Sequence, residues 1–112
     1  MRRLRLAVLA AAAATALVVA VPTSANAATG VFEFQTGTPP LGIPGLLLDP
    51  PSGECINLPG ATSSSPAFAP KNLTNSTATV FIDLNCDGDT YYVMDPGKIL
   101  GNRVKVRSVN FQ

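Results

Sequence analysis

Apolar side chains alternate with others over residues 77–86. Ala78, Val80, Ile82, Leu84 and Cys86 share one parity, and Thr77, Thr79, Phe81, Asp83 and Asn85 share the other. Period two with β-branched enrichment predicts a half-buried strand that puts Cys86 on its core face. Phe81 is the one apolar residue on the outer face. Residues 90–94 predict a second strand, stopped by Asp95-Pro96-Gly97. A third is expected over 103–111, but there Val104 and Val106 lie on one parity and Val109 and Phe111 on the other. A single pleat cannot bury all four, so a bulge or sharp bend is expected near Arg107-Ser108. Shorter strands are expected over 31–35 and 55–58.

The rest of the pattern is irregular. Residues 36–53, TGTPPLGIPGLLLDPPSG, are too rich in Pro and Gly for a helix or a central strand. They read as a long exposed loop, partly polyproline-like, holding Leu46, Leu47 and Leu48. A second irregular connection is expected over 61–76, with a short turn around 71–75. No segment has a useful helical period, so the reading is all-β.

The N-terminal pattern is of another kind. Arg2, Arg3 and Arg5 precede an apolar run over 6–21, interrupted only by Thr15. The run is shorter than the ~20 residues needed to span a bilayer. Pro22 ends it, and Ala25-Asn26-Ala27 supplies a small-x-small cleavage site. Residues 1–27 are therefore expected to be a signal peptide. The mature chain would be one domain over 28–112, of 85 residues (112 − 27), secreted and without a membrane span. Losing three arginines turns the formal charge of +1 into −2 (1 − 3). That balance excludes a strongly basic nucleic-acid binder.

Two cysteines remain, Cys55 and Cys86. An even count in a small exported chain reads as one disulfide, contributing roughly 3.5–4 kcal/mol for a loop of this length. With no histidine, a thiol–imidazole pair is excluded, and two cysteines alone do not complete a zinc site. No phosphate-binding loop or metal cluster is present, so a non-catalytic protein is expected. Asn72-Leu73-Thr74 and Asn75-Ser76-Thr77 are glycosylation sequons, though the signal reads as bacterial. Tyr91-Tyr92 offers a sugar-stacking platform if both rings are exposed, but adjacent strand residues face opposite ways, so one exposed tyrosine is expected. The Arg103/Lys105/Arg107 stripe reads as an edge strand charged against aggregation.

The stretch 83-DLNCDGD-89 raises a metal question. Asp83, Asn85, Asp87 and Gly88 match positions 1, 3, 5 and 6 of an EF-hand loop, but the bidentate Glu of position 12 is replaced by Met94. Calcium would then need a nonstandard cluster of Asp83, Asp87 and Asp89; otherwise no cofactor is expected. The alternative is a corner built on Asp87-Gly88.

Phe81-x-x-x-x-Cys86-x-Gly88 is the pattern of a βγ-crystallin Greek-key motif, and Ser108 stands where that motif places a serine. Together with 55-CINL-58, the 95-DPG-97 turn and 108-SVNF-111, the chain resembles small secreted bacterial βγ-crystallin-like proteins related to the metalloproteinase inhibitor and killer-toxin-like group. The resemblance implies a small Greek-key β-sandwich with a Cys55–Cys86 bond. Gly88 would allow a folded-over hairpin, Phe81 would pack across it and Ser108 would hydrogen-bond back to it. The family's own calcium signature is not met at 101-GNRVKVRS-108. The implied role is a monomeric, extracellular, non-catalytic binding or structural module. One alternative is a proteinase inhibitor presenting the loop 39–51, with Leu46, Leu47 and Leu48 entering a protease's apolar pocket. Another is an envelope- or membrane-active toxin-like protein. The partner would be an extracellular protease or a cell-envelope component.

Overall fold

A computed structural model describes residues 27–112. The expected n-region, the apolar run and Ala25-Asn26 lie outside the described residues. Eight strands follow in order: β1 (Gly30–Thr36), β2 (Ile43–Leu48), β3 (Cys55–Asn57), β4 (Ala67–Thr74), β5 (Ala78–Phe81), β6 (Tyr91–Met94), β7 (Lys105–Val106) and β8 (Ser108–Phe111). They form two antiparallel four-stranded sheets, ordered β2-β1-β4-β7 and β3-β8-β5-β6. Each run of four strands leaves three in one sheet and gives its third strand to the other. Among the described residues no helix is long and apolar enough to cross a membrane.

The inward faces supply the core. Phe32 and Phe34 alternate on β1, Val80 on β5 opposes Val109 on β8, and Met94, Val106, Leu58 and Phe111 complete the cluster. Phe111 meets Phe32 edge-to-face with centroids 5.5 Å apart, joining the two sheets. Ala28, expected to open the mature chain, is buried against this core and donates its N–H to Pro50 O at 2.8 Å.

The strand expected over 77–86 ends at Phe81. Asn85 (φ 63°) and Cys86 (φ 53°) are left-handed, so the chain leaves the sheet and turns through a short 3-10 segment, Leu84–Cys86. Cys86 is consequently half-buried rather than on the core face. The parity break at 107–108 is a change of sheet. Val106 closes the first sheet, Arg107 crosses the gap, and Ser108 starts the central strand of the second.

The two stretches read as loops both hold strands. The expected loop 36–53 contains β2, an edge strand paired with β1. Asp49 donates its N–H to Gly30 O (2.8 Å), so odd-numbered positions of β2 address β1 and even ones address the free edge. The missing N–H of Pro44 therefore falls on the free side, where the ladder loses nothing. The expected irregular stretch 61–76 contains β4, between β1 and β7. It accommodates buried Pro70 at a bulge, where the pairing with β1 shifts and Ala69 is left-handed (φ 54°).

Candidate functional site

Two surfaces hold the sequence-derived candidates: the outer face of the second sheet, under the 82–90 hairpin, and the outer face of the first sheet.

On the second sheet, Asn57, Ser108, Phe81 and Tyr91 form one cross-strand row. Ser108 is fully buried; its hydroxyl donates to Asp83 O and accepts from Cys86 N–H at 2.8 Å. Asn57 accepts from Asn85 N–H (2.7 Å) and donates to Asn85 Oδ1 (3.0 Å). Cys55 is bonded to Cys86. The hairpin is thus folded back over the sheet and held at three adjacent points. Phe81 packs on Tyr91, centroids 5.7 Å apart. Gly88 has φ +85°, and a Cβ there would abut the Asp83 carboxylate.

Arg107 completes this region in a way the charge pattern concealed. Its Nε donates to Thr62 O (2.7 Å), Nη1 to Ile82 O (2.8 Å) and Nη2 to Ser63 O (3.1 Å). The guanidinium ties the 62–65 turn and the hairpin to the crossing strand, rather than extending a solvated stripe with Arg103 and Lys105. Replacing Ser108 with alanine leaves a part-buried carbonyl and a part-buried N–H unpaired, for an expected loss of about 1–3 kcal/mol. The Cys86 amide should then exchange with solvent much faster; unchanged protection would show that the hydroxyl does not hold the hairpin. Gly88→Ala should cost about 1–2 kcal/mol, because a methyl is forced onto a left-handed backbone. A thermal midpoint equal to wild type would count against that strain.

Asp83, Asp87 and Asp89 do not assemble into a metal-binding group; among the described residues no three carboxylates or thiolates come together as one. Asp83 and Asp87 instead line an open cleft of about 500 Å³ with Ser63, Asn85 and Arg107. Tyr91 and Tyr92 are 53% and 39% exposed, so both rings meet solvent, contrary to the single exposed ring expected. The reason is that β6 is an edge strand, which leaves even its inward position open at the side. Asn72 of the first sequon is fully buried and its amide fully bonded, so the folded chain offers no glycan acceptor there.

The first sheet carries the other surface. The register aligns Leu48, Val31 and Leu73 in one row across β2, β1 and β4, and Leu46, Glu33 and Lys71 in the next. Ile99 bridges to Lys71 and extends the second row. Leu46, Leu48, Leu73 and Ile99 are all exposed, and a cleft of about 310 Å³ opens among Glu33, Gln35, Pro44, Leu46 and Lys71. The three leucines divide as a strand requires. Leu46 and Leu48 face outward, while Leu47 is half-buried against the core. Leu47→Asp is therefore expected to destabilise by about 1–3 kcal/mol, whereas Leu46→Asp and Leu48→Asp should stay within about 0.5 kcal/mol. Thermal unfolding of the three variants checks this; equal losses would mean that the strand does not alternate as described.

Comparison with protein-family models, with curated proteins and with solved structures finds no significant match.

Proposed function

We propose that this chain is a secreted, disulfide-stapled module of βγ-crystallin type that acts by binding outside the cell and carries no catalytic site. The observation that carries this reading is the exchange of third strands between the two halves. Each half contributes a hairpin and a returning fourth strand to its own sheet and sends its third strand across, an exchange that we read as a pair of Greek keys. The serine-pinned, folded-over hairpin at Phe81, Gly88 and Ser108 supports it from the second half. The binding surface in this reading is the outer face of the first sheet, where Leu46, Leu48, Leu73 and Ile99 surround the Glu33–Lys71 pair.

Proteinase inhibition is the second reading, and Leu41 favours it. This residue is 88% exposed, between Pro39-Pro40 and the start of β2, so the 39–51 segment offers an apolar tip followed by a stiff edge strand. The test is to titrate the secreted protein against extracellular metallo- and serine proteases, and separately against cell-envelope preparations. The envelope-binding reading expects retention that is lost in Leu46→Asp and Leu48→Asp, with protease activity untouched. Stoichiometric inhibition lost in Leu41→Asp would overturn it in favour of the inhibitor. Neither retention nor inhibition would remove binding as the function.

A further inference from the structure

The four sheet edges are not alike. β7 has two residues, Lys105 and Val106, with Arg103 nearby; charge and shortness guard it. β3 has three residues and lies under the pinned hairpin through Cys55–Cys86 and Asn57. β6 is flanked by Asp89 and Asp95. β2 has six residues, and residues 36–48 contain no charged side chain at all. Among the described residues nothing pairs with its second side.

From this we propose that β2 is the contact for a second copy of the chain, joined antiparallel about a twofold axis so that two four-stranded sheets become one of eight. Self-contact is the occupant that the charge pattern fits. In an isologous pair every residue meets its own neighbourhood, so any like charges would be brought together. A charge-free strand with apolar side chains on both faces has no such conflict. Pro44 also fixes the register. The free-edge groups belong to even positions, and Pro44 has no N–H to give, so the useful donors are those of Leu46 and Leu48. Centring the axis on Leu47 sets Leu46 opposite the second copy's Leu48, and the reverse, for four backbone hydrogen bonds with Pro44 left outside the paired stretch. Any axis that places Pro44 opposite a leucine leaves one carbonyl of that leucine without a donor. This contact is made by the backbone edge, and because Leu46 and Leu48 also belong to the outer face, association is measured on the protein alone, with no partner present.

Sedimentation velocity over a concentration series tests it, using the protein recovered from the medium of cells expressing the full chain. The expected result is a monomer–dimer equilibrium. The double variant Leu46→Lys, Leu48→Lys sets ammonium groups opposite one another across the axis and should weaken the dimer by about 100-fold or more. At concentrations where wild type is itself monomeric its thermal midpoint should hold, because both side chains already face solvent in the monomer. Leu41→Lys removes an equally apolar residue outside the paired stretch and should leave the dimer intact. A protein that stays monomeric up to about 1 mM overturns the proposal. So does a dimer that survives the double lysine variant, or one that Leu41→Lys weakens as much.

Discussion

Asn72→Leu is expected to lower stability by about 3–5 kcal/mol, although leucine branches at Cγ as asparagine does and the site is fully buried. The amide is the meeting point of three segments. Its Nδ2 donates to Ser76 O and to Met94 O, both at 2.8 Å, and its Oδ1 accepts from Thr74 N–H (3.2 Å) and from Thr74 Oγ1 (2.7 Å). It therefore ties the end of β4 to the 75–77 turn and to the last residue of β6, which belongs to the other sheet. A leucine strands Met94 O and the Thr74 N–H, both in buried bonds, while Ser76 O is part-buried and keeps the Thr74 hydroxyl; each buried loss costs about 1–3 kcal/mol. Asn72→Asp should do no better, since it removes the two donors and buries a charge. Urea unfolding measures the loss, and a value under about 1.5 kcal/mol would mean that the amide's partners find others.

The double variant Cys55→Ala, Cys86→Ala should lose about 3.5–4 kcal/mol through its unfolded state, for a closed loop of 31 residues. The folded state changes little, because Asn57, Ser108 and Arg107 still hold the hairpin from three sides. Two measurements separate these effects. Amide spectra of the folded variant should match wild type outside the immediate neighbours of residues 55 and 86. The denaturant slope should rise, since an uncrosslinked chain exposes more surface on unfolding. A released hairpin in the folded spectrum would show that the bond, and not the side-chain contacts, does the pinning.

Where one face of a strand is apolar and the other polar, the sequence was a sufficient guide. That holds for β1, with Phe32 and Phe34 inward, and for β5, with Ala78 and Val80 inward. The broken parity of Val104, Val106 and Val109 marked a break at Arg107-Ser108, but as a bulge or bend within one strand, where the chain in fact changes sheet. β4 stayed hidden because its inward positions include Pro70, Asn72 and Thr74, which a hydrophobic pattern reads as loop. Only their mutual hydrogen bonds and the bulge make that strand affordable. β2 stayed hidden because Pro44 looks fatal to a ladder until one knows that its nitrogen points to the free edge. The alternation of 77–86 misled in the opposite direction: it continues in letters to Cys86, although the strand has ended at Phe81 and the backbone turns left-handed at Asn85 and Cys86. Arg107 was visible as a charge and invisible as a clamp, because its partners are main-chain carbonyls that carry no signature in the sequence.

The exchange of third strands has a kinetic consequence. Among the described residues β3 finds its only sheet partner in β8, and β7 finds its partner in β4, so neither sheet is completed from its own half. During synthesis or passage through a pore, β1, β2 and β4 can meet early, but the second sheet must wait for residues 108–111. Pairings this distant along the chain cost loop entropy before they return anything, which places folding in the slow, millisecond-to-second range for β-rich domains. A chain cut before Ser108 keeps all four strands of the first sheet but loses β8, and with it Val109 and Phe111 from the core that both sheets share. It should therefore not fold stably, with Cys55 still reduced or paired to a stranger, and the commitment to the native state should come in one late, all-or-none event.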